Sequence, residues 1–172
     1  MGADIYLNSK FNKNYNEVQK EIDELEALFK STHKQTIFDV ADGNDDKLFE
    51  LTRPLLDKQY SVGYFRDSYN SSSLLSQLGL SWSSDISKRL NDESYLSVED
   101  CKWLLEEINN RRIGETVTEE PMMSRLFSVL GMEKTDTSLD AERLEYFVKK
   151  KSMLTNLLLD AIELNEPLYC SI

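Results

Sequence analysis

Phe11, Tyr15, Val18, Ile22, Leu25, Leu28 and Phe29 recur three and four residues apart, the spacing that lines one side of an α-helix. A helix over Ser9 to Ser31 must bury that stripe against something else, so the chain has to build a packed, layered fold. Glu17, Glu21, Asp23, Glu24 and Glu26 fall mostly on the opposite side, where water solvates them. A second long helix is expected over Ser138 to Leu164, with Leu144, Phe147, Leu154, Leu157, Leu158 and Ile162 inward. Lys149, Lys150 and Lys151 interrupt that stripe, so at least one lysine must run along apolar surface and place its ammonium at a gap or in solvent.

Between these helices the pattern changes period. Ala3 to Leu7, Tyr60 to Phe65 and Pro167 to Ile172 are short, apolar and β-leaning, and read as three strands. Thr36 to Val40 reads as a further short strand or a core-plugging loop. Asp42 to Asp46 is a turn into a helix whose inner face is Leu48, Leu51, Leu55 and Leu56, with Pro54 kinking or dividing it. Shorter helices are expected near Ser72 to Gln77, closed by Gly79, and between Ser83 and Asn91. Another starts at Ser97, where Asp100 completes a shortened capping box, and buries Cys101, Leu104, Leu105 and Ile108. Thr118 to Leu130 is the last, with Pro121 in its first turn. The whole reads as an α+β, helix-dominated fold in which a small three-stranded sheet packs against two long helices and several short ones. Glycine-rich βαβ alternation is absent, which argues against a doubly wound sheet.

At 172 residues, one domain over 1–172 is expected, burying roughly 70% of its surface. The net charge is −11, which disfavours a general grip on nucleic-acid backbones. The excess is local: residues 1–90 carry −3, residues 91–145 carry −8 and residues 146–172 are neutral. No membrane-length apolar run and no secretory leader pattern is visible, and Cys101 and Cys170 suit reduced thiols in a cytoplasmic, unanchored protein.

One histidine, His33, limits catalysis further. It reads as a solvated loop residue beside Lys34, and one imidazole excludes two-histidine zinc motifs and the facial-triad iron site from a single chain. An EF-hand register placing Gly43 sixth puts Phe38 and Phe49 at the first and twelfth positions, where neither ligates calcium. No cofactor, metal site or catalytic residue is assigned, and a carboxylate-held Mg²⁺ stays open because its ligand spacing is loose and 31 acidic side chains could supply it.

Two surfaces stand out. Tyr64, Arg66, Asp67, Tyr69, Asn70 and Trp82 form the densest polar-aromatic group, suited either to a flat anionic ligand or to an Arg66–Asp67 pair tying sheet to helix. Glu106, Glu107, Glu115, Glu119 and Glu120 form an acidic block suited to a basic partner or to imitating a phosphate backbone. Lys102, Arg111 and Arg112 dilute it.

The start Met1-Gly2-Ala3-Asp4-Ile5-Tyr6-Leu7, the block Tyr64-Phe65-Arg66-Asp67-Ser68-Tyr69-Asn70 leading to Leu78-Gly79-Leu80-Ser81-Trp82, and the ending Pro167 to Ile172 together resemble a group of small uncharacterised bacteriophage and bacterial proteins. The resemblance implies a phage or prophage origin and a fold that uses both termini, and it transfers no catalytic residue. The resulting expectation is a non-enzymatic accessory protein in the host cytoplasm that binds a bacterial host protein, including one with a nucleic-acid-binding surface. The alternative is a small-molecule binder or enzyme with its pocket at the Tyr64–Asn70 block.

Overall fold

The computed structural model describes residues 2–33, 44–68, 73–114 and 141–172. The expected segments 36–40 and 118–130 lie outside them, as does the start of the second long helix at Ser138. The fold is α+β and helix-dominated, with a small four-stranded antiparallel sheet. By contacts the chain forms two compact units, Tyr6–Tyr64 and a second one made of Met1–Ile5 with Phe65–Ile172.

The sheet consists of β1 (Gly2–Tyr6), β2 (Tyr64–Ser68), β3 (Tyr95–Leu96) and β4 (Leu168–Ser171), in the order β2-β1-β4-β3. Strand alternation turns Ala3, Ile5, Phe65, Leu168 and Cys170 inward. One strand more than the expected three is present. β3 is only two residues long, too short to show alternation, and pairs antiparallel with β4 through Tyr95↔Tyr169 and Leu96↔Leu168.

In the larger unit, α3 (Leu74–Gln77) starts at the Ser73 cap. Where a short helix was expected over Ser83 to Asn91, a π-helical turn (Trp82–Ile86) leads into a 3₁₀ turn (Ser87–Arg89). α4 (Val98–Asn110) buries Cys101, Leu104 and Ile108, while Leu105 is half-buried. α5 (Ala141–Glu163) buries Phe147, Leu154, Leu157, Leu158 and Ala161, and packs on α4. Leu144 on its first turn is exposed instead of inward.

Ser97 caps α4 as expected, but the return bond of a capping box goes to its hydroxyl and not to its backbone N–H. Its Oγ accepts from the Asp100 backbone N–H at 3.1 Å and donates to Asp100 Oδ2 at 2.6 Å, so the short acid reaches the hydroxyl. Burial alone would raise the Asp100 carboxyl. The Ser97 hydroxyl and the Arg89 guanidinium outweigh that effect and hold it below its ordinary value. A depressed folded-state pKa stabilises the fold above the unfolded value and is lost as pH falls through the folded one. Ser97→Ala is therefore expected to lower stability by about 1 kcal/mol at pH 7. It should also shrink the Asp100 contribution to acid sensitivity below pH 4, which denaturant melts across pH 2–7 would measure.

The smaller unit pairs α1 (Asn8–His33) with α2 (Asn44–Gln59). Val18, Ile22 and Phe29 are buried as the periodicity demands, but Leu28 is exposed. His33 is the last residue of α1 and not a loop residue. α2 runs unbroken through Pro54. Its inner face differs from expectation: Leu51 and Leu56 are exposed, while Thr52 and Gln59 are buried. The reason is that this helix pair is stitched by polar groups. Gln59 Nε2 donates to Gln19 Oε1 at 2.9 Å, and Asn14 Nδ2 donates to the Lys58 and Gln59 carbonyls at the open end of α2. The Thr52 hydroxyl returns its proton to the Leu48 carbonyl, so burying these side chains leaves nothing unsatisfied.

The expected strand at Tyr60 to Phe65 begins only at Tyr64. Gly63 takes a left-handed φ of +65° and ends a turn there. Tyr60 and Tyr64 alternate because both reach the ring of Phe11, which they meet at 5.9 Å between centroids, alongside Tyr6 and Tyr15.

Candidate functional site

β2 sorts the polar block by alternation. Phe65 and Asp67 point inward, and Arg66 points out. Asp67 is 2% exposed and accepts four hydrogen bonds. Oδ1 takes the Leu74 backbone N–H and Lys150 Nζ, each at 3.0 Å. Oδ2 takes the Leu75 N–H at 3.3 Å and the Trp82 indole N–H at 3.0 Å. One carboxylate thus joins β2, the start of α3, the π-helical turn and α5.

Lys150 is the interrupting lysine for which the α5 stripe requires a destination. Its ammonium approaches the rings of Phe65 (5.6 Å) and Tyr146 (5.4 Å) on its way to Asp67. Lys151 turns instead to the Arg111 carbonyl at 2.9 Å.

The six residues proposed from sequence are therefore divided. Asp67 and Trp82 come together, hydrogen-bonded and buried. Arg66 does not pair with Asp67; it meets Asp4 at 3.6 Å with a largely exposed side chain, an arrangement worth little. Tyr64 belongs to the smaller unit, where it packs on Tyr6 and Tyr60. Tyr69 and Asn70 lie outside the described residues. Lys150 is not legible in the sequence as Asp67's partner, since 83 residues separate the two; what the sequence does carry is a lysine in an apolar stripe.

The acidic block is divided as well. Glu107 binds Arg111 through Nε and Nη2 at 2.9 and 2.7 Å, and Arg111 Nη1 reaches the Gly79 carbonyl, fastening α4 to the turn after α3. Glu99 pairs with Lys102 and Asp100 with Arg89. Glu106 is exposed and takes no partner among the described residues. Glu115, Glu119 and Glu120 lie outside them.

A cleft of about 830 Å³ that the sequence did not signal opens between β3 and the start of α4, with Leu90, Tyr95, Val98 and Pro167 among its walls. Arg89 at its rim lies over the indole of Trp103 at 3.6 Å and donates to Asp100 Oδ1 at 2.8 Å.

Cys101 and Cys170 are free and buried, and burial pushes both thiols up to about 12, which removes ready thiolate chemistry. Among the described residues no group of three or more His, Cys, Asp or Glu side chains is placed to hold a metal ion. Among them, too, no helix is long and apolar enough to cross a membrane. No protein-family model, curated protein or solved structure matches this chain.

Proposed function

We propose that this is a phage- or prophage-encoded, non-enzymatic accessory protein that acts in the bacterial cytoplasm by binding a host protein with a basic surface, such as one that binds nucleic acid. The observation behind this reading is charge. The chain carries −11, of which −8 falls in residues 91–145, and Glu106 offers an exposed carboxylate with no internal partner among the described residues. Complementary fields of this kind steer association and select partners. The polar block around Asp67 supports the same reading indirectly. Chemistry there would require Asp67 to release donors that hold four elements together.

The test is affinity capture from bacterial lysate, followed by reconstitution with the purified partner and titration calorimetry at two salt concentrations. Affinity should fall as salt rises, and charge reversal at Glu106, Glu119 and Glu120 should abolish capture. Capture unchanged by the reversal would overturn the acidic-face reading. Glu107 is left intact in this variant because it holds Arg111.

A further inference from the structure

We propose that the cleft between β3 and α4 receives a lysine or arginine side chain from a basic protein partner. The inference rests on the binding role proposed above and gives it a second, separate point of contact.

The cleft is preformed. Asn91 Oδ1 accepts from the backbone N–H groups of Glu93 and Tyr95 at 3.0 and 2.8 Å, closing the loop into a tight turn. Ser94 stands there at φ 65°, and its carbonyl takes the Cys170 N–H at 2.9 Å, so the turn is fastened to β4. The backbone of Glu93 and Tyr95 is thereby fixed at the cleft before any ligand arrives. Preorganisation of this kind lowers the entropy cost of association.

Charge selects the occupant. Three ionised side chains line the cleft: Arg89, Asp100 and Glu93. Arg89 is neutralised by Asp100 at 2.8 Å and lies over the Trp103 ring, so an incoming anion meets an ion pair and not a free cation. The Glu93 carboxylate is exposed and takes no partner among the described residues, which leaves the cleft one unit negative. An entering cation therefore gains Glu93, and an entering carboxylate is repelled by it. The apolar walls at Leu90, Val98 and Pro167 suit the methylene stem of a long basic side chain, and Tyr95, packed edge-on with Tyr169 at 5.4 Å between centroids, adds an aromatic side chain to the lining. The volume of about 830 Å³ holds such a side chain with its neighbouring backbone.

The probe is a capped peptide, acetyl-Gly-Arg-Gly-Arg-Gly-amide, titrated into the full chain and followed by backbone and indole amide NMR shifts. Its Glu-for-Arg counterpart serves as the opposite-charge control. The arginine peptide should shift Glu93, Tyr95, Val98 and the Trp103 indole, and Glu93→Gln should weaken it about two- to fivefold, as expected for one exposed ion pair. Tyr95→Leu should weaken it again with the fold intact by the remaining spectrum. Stronger cleft shifts from the glutamate peptide would overturn the proposal. So would arginine-peptide shifts confined to Glu106 or insensitive to Glu93→Gln. Loss of host-protein capture on reversal of Glu106, Glu119 and Glu120, with cleft shifts absent, would leave the binding role standing and remove the cleft from it. Cleft shifts without any captured protein would do the reverse.

Discussion

Asp67→Ala should be among the most damaging single substitutions in the larger unit. Removing the carboxylate strands the Lys150 ammonium, 16% exposed at the side chain, beside two backbone N–H groups and an indole N–H. Breaking a buried pair in this way costs about 3–5 kcal/mol, because the remaining charge keeps its desolvation cost without compensation. For a chain of this size the melting temperature should drop by roughly 6–20 °C, which scanning calorimetry would read directly. Lys150→Met should cost less. It leaves Asp67 with three neutral donors, and a methionine follows the same path past Phe65. If Asp67→Ala melts within a degree or two of the wild type, the carboxylate does not hold these four elements together.

Gly63→Ala is expected to have the second-largest effect, in the smaller unit, for two separate reasons. The left-handed φ of +65° costs a side-chain-bearing residue about 1–2 kcal/mol. In addition, a Cβ there would stand 2.7 Å from the Phe11 backbone N and 3.1 Å from the Leu7 carbonyl oxygen. Those atoms cannot easily move aside: Phe11 N–H donates to Leu7 O, and Leu7 N–H donates to Gly63 O, both at 2.8 Å. Together the two effects should reach about 2–4 kcal/mol, measurable by urea denaturation. Gly63→Asn separates them, since asparagine tolerates the left-handed region but still carries the Cβ. Asparagine should recover only part of the loss. Full recovery would mean the chain does not approach Gly63 this closely.

Local periodicity made the helices and the terminal strands legible. Val18, Ile22 and Phe29 on α1 and Leu154, Leu157 and Leu158 on α5 are buried where their spacing places them. Ser97 with Asp100 marked a helix start, because a cap is satisfied within four residues. The inner face of α2 is not legible from apolar character, because Thr52 and Gln59 are buried there while Leu51 and Leu56 are exposed. Gln59 and Thr52 are inside because Gln19 and the helix's own carbonyls accept their protons. That partnership cannot be seen along one segment. β3 escaped notice because two residues carry no period.

The candidate site was legible as a concentration of polar and aromatic residues, but not in its purpose. Arg66 and Asp67 are adjacent in sequence, yet strand alternation sends them to opposite faces, one to Asp4 and one to Lys150. The expected pair was thus wrong in its partners, although Asp67 does tie sheet to helix. Arg89 on Trp103 gave no warning at all, since fourteen positions separate the two and neither belongs to a motif.

The central claim is that Asp67 is engaged in the fold through Lys150. A double-mutant cycle of Asp67→Asn and Lys150→Met, followed by urea unfolding at pH 7, tests it most directly. The account predicts a coupling energy of about 1–3 kcal/mol, with the double variant more stable than the sum of the single losses implies. Additivity within about 0.5 kcal/mol would contradict it.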